Sequence, residues 1–390
     1  MPERNPDLPA PDADGRAHSE RLRDHIRALI ENAGGAIPFV EYMQQALYAP
    51  GLGYYRAGNE KFGAAGDFVT APEVSPLFSH VLGNQIAETL TAAAGDTVLE
   101  LGAGSGRLAL NLLRRLRELD SLPKRYLVLE LSGELAARQR ALLTTEPELA
   151  ARVEWIERLP ESPINGVVLA NEVADALPVE CFVLADSDVV RRGVTWRENG
   201  FAWSDLPAEA PMQALVKDLA TRYQWTPPYF SEYCPSLGGW IETLAGLLGR
   251  GLLLMFDYGL PEHEYYHPDR AMGTLMCHYR HRAHDNPFLW PGLTDITAWV
   301  DFTALAAAGR SAGLEIAGYT TQAHFLLGGG IGDALEQARD EREQLRIAGE
   351  IKRLTLPSEM GEAFKAIALA RDCPPPSGFA FRNMAGRLAP

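Results

Sequence analysis

The sequence predicts a doubly wound, Rossmann-like α/β fold, and three observations carry that prediction. Apolar segments of strand length recur at Thr97–Leu101, 126–130, Val153–Ile156, 166–170 and 252–257. Several are separated by stretches with helical spacing. A run of close glycines, Gly102, Gly104 and Gly106, stands where the first of these strands gives way to a helix. Short apolar strands alternating with helices predict a parallel sheet covered on both faces.

Each element follows from its own pattern. In 21–31, Leu22, Ile26, Leu29 and Ile30 recur at helical spacing, and 39–46 reads as a second helix. Glycines and prolines break regular structure across 50–55 and 63–76. Residues 107–119 then place Leu108, Leu112, Leu116 and Leu119 on one stripe, 135–143 form the next helix, and 315–320 add a later strand. Asn199-Gly200, between Val-, Phe- and Trp-rich pieces, signals a hairpin. Residues 260–301 read as a long ordered loop, and 331–354 as a charged helix followed by Pro-rich chain. The expected organisation has four parts: a disordered tail over 1–17, a helical N-terminal extension over 18–94, a core over 95–330, and a C-terminal helix and extension over 331–390. The core is expected to carry inserted segments at about 179–250 and 260–301.

The chain has 36 basic and 51 acidic side chains, a formal charge of −15. Such a field repels nucleic acid phosphate and favours a cationic partner, so no nucleic acid is expected. No apolar run approaches the roughly 18 residues of a membrane span. Glu3, Asp7, Asp12, Asp14 and Glu20 lie near the start without an apolar stretch, which argues against a signal or transit peptide and for a cytoplasmic protein. Cys181, Cys234, Cys277 and Cys373 are scattered and read as free thiols in a reducing compartment.

The most informative segment is Val98-Leu99-Glu100-Leu101-Gly102-Ala103-Gly104-Ser105-Gly106. Glycines adopt positive φ and let a ligand approach the backbone, and ligands of open α/β sheets lie beyond the carboxyl ends of the strands. A dinucleotide fingerprint, G-x-G-x-x-G, would need its third glycine where Arg107 stands, so a nicotinamide oxidoreductase is disfavoured. The pattern here is E-x-G-x-G-x-G, the arrangement of class I methyltransferases, whose cofactor has no pyrophosphate to cradle. Glu100 is then expected at the methionine end of S-adenosyl-L-methionine, and Glu130, closing the second strand, at the ribose hydroxyls. A ligand-free glycine turn with a solvent-facing Glu130 is the competing explanation. The two acids in their strand–helix context weigh against it. The expected cofactor contacts are Glu100, Gly102, Ala103, Gly104, Gly106, Glu130, Leu131 and Asn171.

Over most of its length the chain resembles the MidA-like SAM-dependent methyltransferases. The resemblance rests on Leu47-Tyr48-Ala49-Pro50-Gly51-Leu52-Gly53-Tyr54-Tyr55, on Gly66-Asp67-Phe68-Val69-Thr70-Ala71-Pro72-Glu73, and on Asn171-Glu172-Val173-Ala174-Asp175-Ala176-Leu177-Pro178. Asp257-Tyr258-Gly259, Gly273-Thr274-Leu275, Asp295-Ile296-Thr297, Val300-Asp301-Phe302 and 357–365 continue it in order. The resemblance implies a class I methyltransferase sheet with family-specific additions before the first strand and after the fourth. It also implies that the segment carrying Asp67, Thr70 and Glu73 folds over the cofactor. Mitochondrial members are arginine methyltransferases that act on a core subunit of respiratory complex I during its assembly. With its acid-rich start read as no transit peptide, the chain is expected to be a bacterial member. A protein client with a basic, arginine-containing segment is thereby implied, and a homodimer is left open.

An arginine acceptor stays protonated in water, so carboxylates must grip its fork and direct one nitrogen at the methyl group. Asn171, Glu172 and Asp175 follow the fourth strand and Asp257 ends the fifth, which makes these four the candidate catalytic residues. Helix capping competes as an explanation for Asp175, and turn capping for Asp257. Pro178 comes too late for the polar–proline pattern of many amine methyltransferases. Cys277, His278, His281 and His284 lack the spacing of a closed zinc site, and no metal is expected. The rival functions are a SAM-binding assembly factor without chemistry and a small-molecule methyltransferase, which would need a closed, mostly apolar pocket.

Overall fold

The computed structural model describes residues 8–57, 70–198 and 200–389. Seven strands build the central sheet: β1 (Thr97–Leu101), β2 (Arg125–Leu129), β3 (Val153–Ile156), β4 (Ile164–Asn171), β5 (Leu248–Leu260), β6 (Glu315–Thr321) and β7 (Phe364–Arg371). Their order is β6-β7-β5-β4-β1-β2-β3, and Val300–Asp301 adds a short eighth strand at the end of β5. β3, β2, β1, β4 and β5 run parallel, whereas β7 is antiparallel to both β5 and β6.

The inner strands are apolar throughout because both faces are covered. Val98, Val167, Leu169, Leu252 and Leu254 pack with Leu108, Leu112 and Leu116 of helix Arg107–Glu118 on one side. Leu99, Val168, Leu253 and Met255 pack on the other side with Ile241 and Leu244 of helix Leu237–Leu247 and Leu305 of helix Phe302–Ser311. The strand order reverses between β1 and β4. Connections leave these two strands in opposite directions and open a crevice beyond their carboxyl ends.

A second sheet is composite. Strands Glu180–Ala185, Asp188–Arg197, Gly200–Pro207 and Tyr229–Tyr233 come from the inserted segment, and Ala36–Pro38 of the N-terminal extension pairs with Asp188–Arg197. Ile26, Phe39, Tyr42 and Leu47 thus share one core with Val179, Cys181 and Val194. The expected hairpin is present, with Arg197 opposite Gly200, while Asn199 lies outside the described residues.

Several expectations are corrected. The first helix is Ala13–Asn32 and begins inside the stretch read as a disordered tail, because the Asp12 side chain accepts the Gly15 N–H at 2.8 Å and caps it. Residues 260–301 are not a loop: Met276–Tyr279, Arg282–His284 and Asp295–Thr297 form a three-stranded antiparallel sheet. Helix Leu237–Leu247 falls within the range read as an insertion but covers the central sheet. The charged helix starts at Glu341, where Asp340 caps the Glu343 N–H. The chain beyond it holds β7, which lies inside the sheet, so the sheet is mixed rather than all parallel. Among the described residues no helix is long and apolar enough to cross a membrane.

Candidate functional site

β1 delivers Glu100 and the glycine turn to the crevice, and the turn passes into helix Arg107–Glu118. Gly102, Gly104 and Gly106 have φ of 62°, 54° and 81°, a region costly for residues with a Cβ. A Cβ on Gly102 would meet only Val173 Cγ2, at 3.6 Å, so the space beside it belongs to the cavity. Gly106 serves differently: a Cβ there would stand 3.0 Å from Gln139, and the residue does not line the cavity. It is a packing glycine, not a cavity contact.

The cavity has a volume of about 460 Å³. At its β2 end, Glu130 accepts the Ser132 N–H at 2.8 Å and Gln139 Nε2 at 3.0 Å. Gln139 Nε2 also donates to the Gly104 carbonyl at 2.9 Å, and Trp155 Nε1 donates to Gln139 Oε1. Gln139 therefore ties the glycine turn to the strand-end acid, a role with no sequence signal. Leu131, Leu135 and Leu159 form an apolar wall beside them. Glu100 is buried and accepts the Tyr126 hydroxyl at 2.6 Å; burial pushes its carboxyl up to about 7.

Beyond β4 the chain presents acids. Asn171 Nδ2 donates to Glu172 Oε1 at 3.2 Å, and the Ala71 backbone also hydrogen-bonds the Glu172 carboxylate. The residue as a whole is half-buried because the cavity reaches it, yet its carboxyl is shielded from bulk water. That desolvation, with the charges of Asp175 and Asp295, pushes Glu172 up to about 8. Burial likewise pushes Asp175 up to about 7. Glu172 itself has φ of 54°, and its N–H donates to the Phe256 carbonyl at 2.8 Å. Strain of this kind at a non-glycine residue gathers at functional sites.

Asp257 is placed otherwise than the sequence led us to expect. Its Oδ2 accepts the N–H groups of Val173, Ala174 and Asp175 at 3.2, 2.8 and 3.2 Å, and it is buried behind the cavity wall. It holds the acid-bearing turn in shape and does not reach the cavity.

The N-terminal extension closes the other side. Thr70, Pro72 and Glu73 line the cavity, and Asp67 lies outside the described residues. Glu73 accepts Ser105 Oγ and pairs with Arg107 Nε at 3.0 Å, which pins this segment to the glycine turn. Tyr48 and Tyr55 stack at 5.5 Å between ring centres; Tyr48 donates to the Ala176 carbonyl and Tyr55 to Asp295 Oδ2. Tyr48, Arg56, Trp240 and Asp295 were not singled out as site residues from the sequence, although Tyr48 and Asp295 fall in family-like motifs. A shallower groove of about 750 Å³ near Asn84, Arg115 and Pro374 contains none of the candidate residues. Among the described residues no group of three or more His, Cys, Asp or Glu side chains is placed to hold a metal ion. Cys277 and His284 instead face each other across two antiparallel strands.

These features fit an adenosine carrying an amino acid: an apolar wall, a buried strand-end carboxylate able to accept from two vicinal hydroxyls, and a glycine turn open to the cavity. Fold and site together define an S-adenosylmethionine-dependent methyltransferase. The family model described as putative S-adenosyl-L-methionine-dependent methyltransferase matches residues 81–320, and the chain belongs to that family. Its cofactor is S-adenosyl-L-methionine. The chain is 29% identical to the mitochondrial protein arginine methyltransferase NDUFAF7 of Rattus norvegicus, covering 90% of this chain and 85% of that one. The Xenopus laevis counterpart is 30% identical, with 90% and 84% covered. A Burkholderia thailandensis protein assigned as a methyl transferase, solved with S-adenosyl-homocysteine bound, is 44% identical. It superposes with a TM-score of 0.93, over 97% of this chain and 99% of its own.

Proposed function

We propose that this protein transfers the methyl group of S-adenosylmethionine to an arginine of a protein client, with a subunit of a respiratory dehydrogenase as that client. The observation that carries the reading is the pair of shielded carboxyls, Glu172 and Asp175, on the cavity wall beyond β4. A permanently cationic guanidinium needs such partners, and a neutral acceptor does not. The names of the curated relatives and the charge of −15 support it.

In this reading Glu130 accepts the ribose hydroxyls, the leucines cover the adenine, and Glu100 with the Gly102–Gly104 backbone holds the amino acid end. Thr70 belongs to the cover and Asn171 borders both cofactor and acceptor. Bound S-adenosylmethionine supplies a methyl group on a sulfonium, ready for in-line displacement. Glu172 orients the guanidinium so that one nitrogen points along that line. As the new C–N bond forms, that nitrogen loses a proton, and the Asp175 carboxyl, pushed up to about 7, has the proton affinity to take it. Glu172 and Asp175 are the catalytic candidates that remain; Asp257 positions them. Mass-spectrometric comparison of methylated peptides in wild-type and deletion cells tests the proposal. Loss of methyl from arginine peptides of one client is the expected result, and an unchanged arginine methylome would remove it.

A further inference from the structure

Among its described lining residues the cavity pairs an excess of acids with a lone cation. Glu73, Glu100, Glu130, Glu172, Asp175 and Asp295 line it, and Arg56 is the one basic side chain among its described lining residues. The other arginine close by, Arg107, is taken up by Glu73 on the outside of the glycine turn. Arg56 differs: its guanidinium has no hydrogen bond or ion pair among the described residues, although six carboxylates line the same cavity. An arginine fork offers five donors and keeps its charge, so one that lines a half-enclosed site with no partner among the described residues is suited to an anionic ligand group.

Location narrows that group. Arg56 follows Tyr55, whose hydroxyl is bound to Asp295, and the neighbouring Tyr48 is bound to the Ala176 carbonyl just after β4. Thr70 and Glu73, pinned to Ser105 of the glycine turn, belong to the same wall. The contacts of its chain neighbours thus put Arg56 on the β4 side of the glycine turn. S-adenosylmethionine carries a single anionic group, the α-carboxylate at the end remote from its adenine.

We propose that Arg56 binds the α-carboxylate of the cofactor, opposite Glu100, which takes its ammonium. The amino acid end is then held by one charge of each sign, and the N-terminal extension contributes to cofactor affinity directly as well as by covering the site.

The test is calorimetry on the full chain with two ligands. S-adenosylhomocysteine has the amino acid group; 5′-methylthioadenosine keeps the adenosine and thioether but lacks it. Arg56→Gln should weaken S-adenosylhomocysteine by about tenfold or more, the loss of a charge-assisted bidentate contact, and leave 5′-methylthioadenosine within about twofold. Arg56→Lys should fall between wild type and Arg56→Gln for the first ligand. Retained binding of 5′-methylthioadenosine also reports that the variant is folded. Unchanged affinity for S-adenosylhomocysteine would overturn the proposal, and so would an equal loss for both ligands.

Discussion

Replacing Glu172 by Gln tests the acceptor site with little change of shape. The amide keeps the size of the side chain and can still accept from Asn171 and Ala71, so packing is conserved. What it removes is a charge. With its carboxyl pushed up to about 8, Glu172 is about one-quarter ionised at pH 7.5, so ionising it for a guanidinium costs about 1 kcal/mol. Against that cost stand charge-assisted hydrogen bonds worth about 1.5–3 kcal/mol each, strongest where the guanidinium is fixed for attack. The net loss in the variant is about 3 kcal/mol, or on the order of a hundredfold in single-turnover methylation of the client. Calorimetry with S-adenosylhomocysteine should show cofactor affinity within a few tenths of a kcal/mol, because in the proposed reading the residue grips the acceptor and not the cofactor. Full activity would move the role to Asp175, and lost cofactor binding would move Glu172 into the cofactor site. Either result refutes the argument.

Because Glu172 and Asp175 are raised to about 8 and about 7, kcat/KM for an arginine peptide should climb with pH through that range and then level off; a flat profile from about pH 6 to 9 contradicts the assignment. The stability of the free protein should run the opposite way. The folded state holds protons that unfolded carboxyls release near 4, so stability present below that pH is lost as pH rises through about 8, and thermal unfolding at successive pH values reads it directly. Glu130→Ala should weaken S-adenosylhomocysteine by roughly 1.5–3 kcal/mol through lost bonds to the ribose, and unchanged affinity would mean another acid holds the sugar. Gly104→Val forces a branched side chain into φ of 54° beside the cavity. It should abolish cofactor binding while costing about 1–3 kcal/mol of stability, and calorimetry with normal binding would remove the glycine turn from the site.

Much of the cofactor side was legible in the chain itself. Strand, glycine turn and helix follow one another from Thr97 to Glu118, so Glu100, Gly102 and Gly104 are placed by local geometry. Glu130 is legible for the same reason, being the residue at which a strand stops. Strand identity was harder where composition misled: β7 reads Lys365-Ala366-Ile367-Ala368-Leu369-Ala370 amid proline-rich chain and was missed, although both of its faces are buried.

The acid-bearing side of the cavity beyond β4 was decided by tertiary structure. In the sequence Glu172 follows one apolar strand segment and Asp257 closes another, and both carry the same charge, so nothing local separates them. The pairing of Asn171 with Phe256 turns Asp257 beneath the backbone of 173–175 and leaves Glu172 facing the cavity. Tyr48, Tyr55 and Arg56 reach the same cavity because Ala36–Pro38 joins a sheet whose other strands lie far along the chain. Asp295 arrives there on a strand of a third sheet. Hydrophobic periodicity and glycine spacing act over a few residues and can be read from order alone. Which distant side chains meet is set by strand register and by the packing of one buried face on another, and only the folded chain contains those.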